Sequence, residues 1–171
     1  MGLGRNYADK HAPTAFHIRR FLGENVDDVV WTSDLTPWGG AEKPYNWFGF
    51  IMDSREWWEP SGIPGDEEGD PRYFWPEEVK DTAPWIANFI EAAKTREFQD
   101  CGQDSSCEEG FEKIVLLHSR GTFAHAALQV SPERWKSKLG QLSDFEHSLE
   151  SILAVFPSHR TTFMKRARAL G

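Results

Sequence analysis

The chain has 171 residues, of which 39% are hydrophobic, and this is enough to bury one continuous core. It contains no apolar run near the roughly eighteen residues of a membrane span, and its formal net charge of -8 argues against a nucleic-acid partner, because phosphate binding draws on clustered Lys and Arg. Since the N-terminus shows no signal-peptide pattern, the expected location is cytoplasmic, with no membrane contact.

The first segments predict short elements joined by polar connections. Residues 1–13 contain Gly, Asn and Pro and predict a flexible arm, so that residues 14–171 form a single domain. Apolar spacing predicts a short helix over residues 15–22, and β-branched residues predict an edge strand over residues 28–33. Residues 45–52 are the most apolar early stretch and predict a buried helix, with a strand as the alternative.

A long connection and the clearest helix follow. Residues 60–76 are rich in Gly, Pro and acidic residues and predict a loop whose aromatic end, residues 73–76, docks onto the domain. Residues 81–94 predict a helix in which Asp81 or Thr82 caps the N-terminus.

The second half of the chain predicts an antiparallel sheet. Three β-rich runs between residues 111 and 147, separated by turn residues, are typical of an antiparallel meander. Residues 145–156 predict a helix and residues 161–167 a closing strand. Helices followed by a sheet is an α+β order, in which one layer of helices covers one face of the sheet.

His125 is the first candidate for chemistry, because its neighbours Ala124 and Ala126 leave room for a ligand. A hydrogen-bonded structural histidine is the alternative. Side chains alternate across a strand. This alternation predicts that one face of the middle run carries Phe123, His125, Ala127 and Gln129.

Tryptophan is concentrated in the first half of the chain. So many indoles predict either an aromatic cavity for a hydrophobic small molecule or a tightly filled core. The seven residues are Trp31, Trp38, Trp47, Trp57, Trp58, Trp75 and Trp85.

Other polar residues are weaker candidates. His147 could orient His125 or act as an acid, or it could be a surface residue at a helix start. Asp53 and Glu56 could supply a general acid or base if burial raises a pKa, or they could simply end a helix. A metal site built from His118, His125 and His147 lacks the usual ligand spacing, so neither a metal nor a cofactor is expected.

Cys101 and Cys107 enclose a short polar loop. In a reducing compartment such a pair is expected to be two free thiols, and a small disulfide loop is the alternative.

Several motifs, in their order and spacing, resemble a family of small proteins with the pattern Asn-Cys-x-Ala-Trp-Ala, Tyr-Trp-Pro, His-Ala-Ala-Arg-Gln and Trp-Thr-Ser-Lys-Leu-Gly. The resemblance runs from about Tyr45 to Arg166. Its motifs here are Asn46-Trp47-Phe48-Gly49-Phe50, Tyr73-Phe74-Trp75-Pro76, His125-Ala126-Ala127, Trp135-Lys136-Ser137-Lys138-Leu139-Gly140 and Glu146-His147.

The resemblance implies a papain-like or NlpC-like fold, in which a cysteine that opens a helix is activated by a histidine on a strand. The matching histidine is His125, but Trp47 stands at the cysteine position, and an indole cannot attack a carbonyl. The resemblance also implies a third polar group on the neighbouring strand, at Ser137 or Lys138.

The sequence therefore predicts a small-molecule enzyme in which His125 moves a proton during hydrolysis, isomerisation or cyclisation. The pocket walls expected for it are Trp47, Phe50, Trp57, Trp58, Trp75 and Phe123. One alternative is a non-catalytic inhibitor or immunity-like protein that contacts its partner through the acid-rich residues 53–81. A cysteine hydrolase that uses Cys101 or Cys107 is the third hypothesis, and the oligomeric state stays open.

Overall fold

The computed structural model describes residues 30–31, 45–54, 56–60, 73–80, 83–138 and 144–169. The predicted arm, the predicted helix over residues 15–22 and the helix cap at Asp81 or Thr82 lie outside the described residues, as does most of the predicted loop.

Strands dominate the described chain. In order, the elements are β1 (Val30–Trp31), α1 (Trp47–Ile51), β2 (Trp57–Trp58), β3 (Tyr73–Phe74), α2 (Ile86–Lys94), β4 (Gln99–Asp100), β5 (Phe111–Ser119), β6 (Thr122–Gln129), β7 (Trp135–Lys138), β8 (Asp144–His147), α3 (Leu149–Val155) and β9 (Arg160–Ala167). None of the described helices is long and apolar enough to cross a membrane.

Seven of these strands form one antiparallel sheet in the order β1-β8-β7-β6-β5-β9-β4. The predicted meander is confirmed, since β5, β6, β7 and β8 pair consecutively. The predicted edge strand is present as β1. A separate two-stranded sheet pairs β2 with β3 in parallel.

The expected α+β fold of the papain-like or NlpC-like kind, with N-terminal helices packed on a sheet, is wrong. The described helices are short and lie between strands, and the antiparallel sheet makes up most of the structure. The helical part of that expectation came largely from apolar spacing, and short apolar runs do not distinguish a buried helix from a buried strand.

The expectation that helices cover only one face of the sheet is also wrong. Along β5, Ile114 and Leu116 belong to a core cluster with α1 and α2, whereas Val115 and Leu117 belong to a second cluster on the other face. All four side chains are completely buried. A strand with a continuous apolar run, here residues 114–117, needs cover on both faces, and α3 packs against the second.

Two predicted helices differ from the observed ones at their N-terminal ends. The helix predicted over residues 81–94 begins at Ile86. The helix predicted over residues 145–156 is divided into β8 and α3, because the Ser148 hydroxyl accepts a hydrogen bond from the Ser151 amide and caps the helix there. The residues before Ser148 pair with β7 instead.

An irregularity in β6 changes the predicted face of its side chains. The pairing of β5 with β6 shifts between Leu117 and His118, which pair with His125 and Phe123, so that Ala124 is an extra residue. Phe123 therefore packs in the cluster with α1 and α2, whereas Ala127 packs in the cluster on the opposite face. The four residues predicted to share one face do not all share it.

The predicted buried helix over residues 45–52 is confirmed as α1 and is held by Asn46. The Asn46 side chain accepts from the Gly49 amide at 2.9 Å, and it both donates to and accepts from the backbone of Trp58. A side chain at Gly49 would overlap the Glu56 carbonyl, so β2 can approach α1 closely only because this residue has none. This arrangement places Trp47 at the start of α1 beside β6.

Candidate functional site

Three polar side chains meet on neighbouring strands in the interior of the protein. Ser137 Oγ on β7 lies 3.1 Å from His125 Nε2 on β6 and 2.7 Å from His147 Nε2 on β8. The serine and His147 are completely buried and His125 is 3% exposed. We call these three residues the His-Ser-His network.

Hydrogen-bond chemistry gives this network a direction. His147 Nδ1 lies 2.7 Å from the Ser148 carbonyl oxygen, which can only accept, so Nδ1 carries a proton. In a neutral His147, Nε2 then accepts from the Ser137 hydroxyl, and the same oxygen accepts from His125 Nε2. When both imidazoles are neutral, the network therefore selects one tautomer of each.

Burial determines the charge of His125. Desolvation, with a smaller contribution from nearby His147, lowers the pKa of His125 to about 3. The imidazole is neutral at physiological pH and is a weak base. A general base works best when its pKa lies near the working pH, so this environment does not favour proton abstraction.

Aromatic rings enclose the network. The Trp47 ring lies 6.4 Å from the His125 ring between centroids, and Phe156 stacks on His125 at 5.6 Å. The indole nitrogen of Trp47 is buried and has no hydrogen-bond partner among the described residues. Trp47 thus occupies the place that the resemblance assigns to a thiol, beside the matching histidine.

The other predicted wall residues belong mainly to the aromatic core. Phe123 stacks on Phe89 at 4.0 Å, Trp58 is 1% exposed and packs on Phe74, and Trp75 meets Phe89 edge to face. These rings fill space against one another.

Two predicted wall residues lie closer to polar groups. The Trp57 indole donates to Glu59, and the Phe50 ring lies 6.0 Å from the Lys136 ammonium.

The predicted carboxylates have a different environment from His125. Asp53 is exposed just after α1 in a left-handed conformation, with φ of 54°. Glu56 is exposed and accepts from the Ser54 hydroxyl. Neither carboxyl is enclosed by the protein.

Lys138 is the alternative to Ser137 for the third polar group that the resemblance implies. Its side chain is completely buried, and its ammonium lies 4.3 Å from the centre of the Tyr45 ring. It therefore contacts the segment before α1, whereas Ser137 joins the two histidines.

Both cysteines are free thiols, as expected. Burial raises the pKa of Cys101, which makes its thiol a poorer nucleophile. The loop between the cysteines is organised by buried Lys113, which donates to the Asp104 and Ser106 carbonyls and pairs with Asp104 and Glu108. The sequence does not predict the burial of this lysine, because nothing in a β-strand pattern marks one charged residue as buried.

No group of three His, Cys, Asp or Glu residues that could hold a metal occurs in the part of the chain that the structure describes. Of the three histidines considered for a metal site, His125 and His147 both contact Ser137, whereas His118 hydrogen-bonds Thr162.

A family model described as "Domain of unknown function (DUF7689)" matches residues 36–155. The chain belongs to the DUF7689 family. The matched segment of this DUF7689 member includes Trp47 and the whole His-Ser-His network. No curated protein and no solved structure matches the chain.

Proposed function

We propose that this DUF7689 member is a non-catalytic binding protein of the inhibitor or immunity type, located in the cytoplasm. The observation that supports this most is the enclosure of His125. Its Nε2 is bonded to Ser137, rings lie against it, and its pKa is lowered to about 3. A catalytic imidazole has to reach a substrate and exchange a proton with it.

The identity of residue 47 supports the same proposal. A cysteine beside His125 would have the partner that a thiol nucleophile needs, and the indole of Trp47 removes that chemistry while filling the space. The thiols that the chain does contain are near β4 and in an exposed loop, and Cys101 has a raised pKa.

In this proposal, exposed acidic groups form the surface that contacts the partner protein. Within the acid-rich residues 53–81, four described carboxylates are exposed at Asp53, Glu56, Glu77 and Glu78. Such a surface suits a basic partner, because opposite charge raises the association rate and disfavours acidic competitors.

Chemical modification of histidine by diethylpyrocarbonate tests the proposal. The reagent attacks a neutral imidazole that solvent can reach, and peptide mapping by mass spectrometry reports each histidine separately. We expect His125 and His147 to react at least about tenfold more slowly than half-buried His118.

A Trp47→Ala variant serves as the positive control. Removing the indole opens one side of His125, so its modification should accelerate while that of His118 stays unchanged. A native protein in which His125 reacts as fast as His118 would contradict the proposal, because the imidazole would then be open to substrate.

A small-molecule enzyme is the second candidate. The buried indole N–H of Trp47, unpartnered among the described residues, favours it, since a hydrophobic substrate with one acceptor atom would satisfy that donor beside His125. In this case a pocket must open between Trp47 and His125, and the same modification experiment would detect it.

A further inference from the structure

A groove with a volume of about 840 Å³ lies at one end of the sheet, at a different place from the His-Ser-His network. One wall is the turn between β5 and β6, with His118, Ser119 and Arg120. The other wall carries Ser158 and Arg160, at the connection from α3 to β9. The volume is in the range of small-molecule sites.

Arg120 occupies a backbone position that arginine does not favour. The two residues of this turn, Arg120 and Gly121, have φ values of 51° and 82°. Gly, Asn and Asp dominate such turns, because a longer L side chain is strained in the left-handed region. An arginine here costs stability, so its presence calls for a role of its side chain.

Arginines lie on both walls of the groove. His118 and Arg160 are directly paired on the adjacent strands β5 and β9. Burial is the main cause of the lowered pKa of His118, and nearby Arg160 and His159 lower it further. A bound anion would offset the fixed positive charges of Arg120 and Arg160.

The protein itself supplies no such anion among the described residues. In the described ranges, neither Arg120 nor Arg160 has a carboxylate within ion-pair distance. Both side chains are exposed. This concentration of positive charge stands out in a chain whose formal net charge is -8.

An exposed indole borders the groove. Trp85 is 51% exposed, and its ring would lie 3.8 Å from a Cβ at Gly121. The segment is fixed there because the Ile86 amide donates to the Gly121 carbonyl at 2.7 Å and the Phe123 amide donates to Pro84. An exposed tryptophan held against the turn that carries Arg120 offers a surface for an aromatic ring.

We infer that the groove between Arg120 and Arg160 binds an organic phosphate monoester, with the phosphate between the arginines and an aromatic group against Trp85. Guanidinium groups bind phosphate oxygens in pairs of parallel hydrogen bonds, and the Ser119 and Ser158 hydroxyls add donors. The inference concerns a separate surface from the acidic one and does not depend on whether His125 is catalytic.

Titration with phenyl phosphate, followed by the imidazole NMR signals of the histidines, tests the inference. We expect the His118 signals to shift and saturate, whereas those of His125 and His147 stay in place. Arg120→Gln and Arg160→Gln should each weaken binding about tenfold. Arg168→Gln, which removes the same charge from an exposed residue that bonds the Phe111 carbonyl, should leave it unchanged.

The aromatic part of the inference has its own comparison. Trp85→Ala should weaken the binding of phenyl phosphate about fivefold and leave that of inorganic phosphate unchanged. Equal weakening of both ligands would overturn the contact with the ring.

The remaining outcomes separate this inference from the proposed function. An equal loss of affinity for phenyl phosphate in the Arg168→Gln variant would overturn the inference about the groove and leave the proposed function untouched. An unshifted His118 signal at high ligand concentration would do the same. Shifts confined to the NMR signals of His125 and His147 would overturn both the inference about the groove and the proposed non-catalytic function, because the ligand would then reach the His-Ser-His network.

Discussion

His118 and His125 lie on adjacent strands, near the irregularity that offsets them, and their surroundings differ sharply. His125 is bonded to Ser137, is covered by rings and lies beside a second histidine. His118 is half-buried at the rim of a groove, with Arg160 opposite. The protein satisfies the first imidazole internally but leaves the charges around the second unbalanced. We therefore propose that the buried histidine belongs to a structural network and that the open, unbalanced charges are the better candidate for binding.

The largest expected effect comes from removing the shared hydroxyl of the network. Ser137→Ala leaves the Nε2 atoms of two buried histidines without their common partner, and each such loss costs roughly 1–3 kcal/mol. We expect a decrease in the free energy of unfolding of about 3 kcal/mol, measured by urea denaturation. Ser158→Ala, at an exposed serine of the groove, should change it by less than about 0.5 kcal/mol. Similar losses in both variants would remove the contrast between the two regions.

The next effect is a dependence of stability on pH. Between the ordinary histidine pKa of about 6.5 and the folded value of about 3, His125 is protonated in the unfolded chain but neutral in the folded protein. Its contribution is therefore complete above pH 6.5 and is lost as pH falls below it, by up to about 1.4 kcal/mol per pH unit. His125→Gln, whose amide can still donate to Ser137, should remove this slope in urea denaturations between pH 7 and 5.

His118→Gln is the matched control for that experiment. Its pKa is also lowered, but the residue is only half-buried, so removing it should flatten the pH dependence less. If the two variants changed the slope equally, the environments of the two histidines would not differ as described.

The smallest expected effect concerns the strained turn. Arg120→Gly relieves a left-handed arginine and should raise the free energy of unfolding by about 1 kcal/mol. The same variant should lose most of its affinity for phenyl phosphate. Glu97→Gly, at an exposed residue with φ of 67°, should give a similar gain in thermal denaturation and leave phosphate binding intact. Arg120→Gly with unchanged ligand affinity would argue that the arginine has no role in the groove.

The sequence predicted local features well where alternation and turn residues were decisive. The runs around Leu117 and His125 predict the antiparallel meander that the structure contains. The placement of Ser137 beside His125 was expected only from the resemblance. The contact with His147 also depends on β8, which apolar spacing had assigned to a helix.

The missed features arise from long-range contacts. The extra residue at Ala124 shifts the face of β6, and nothing in the local alternation marks it. Apolar spacing predicts the helix that contains α3, but not its start after Ser148 or its position on the second face of the sheet. The groove joins the turn at Arg120 to Arg160, forty residues apart in the numbering, and that proximity follows only from the pairing of β5 with β9.

The position of β9 has a consequence for how this chain is made. This last strand inserts between β5 and β4, so the apolar edge of β5 stays unpaired until residues 160–167 have left the ribosome. An unpaired apolar edge is a template for aggregation. The sheet can therefore be completed only after β9 has been translated, well after β5. A chain that stops at residue 155 would present the open edge of β5 to other proteins in the cell.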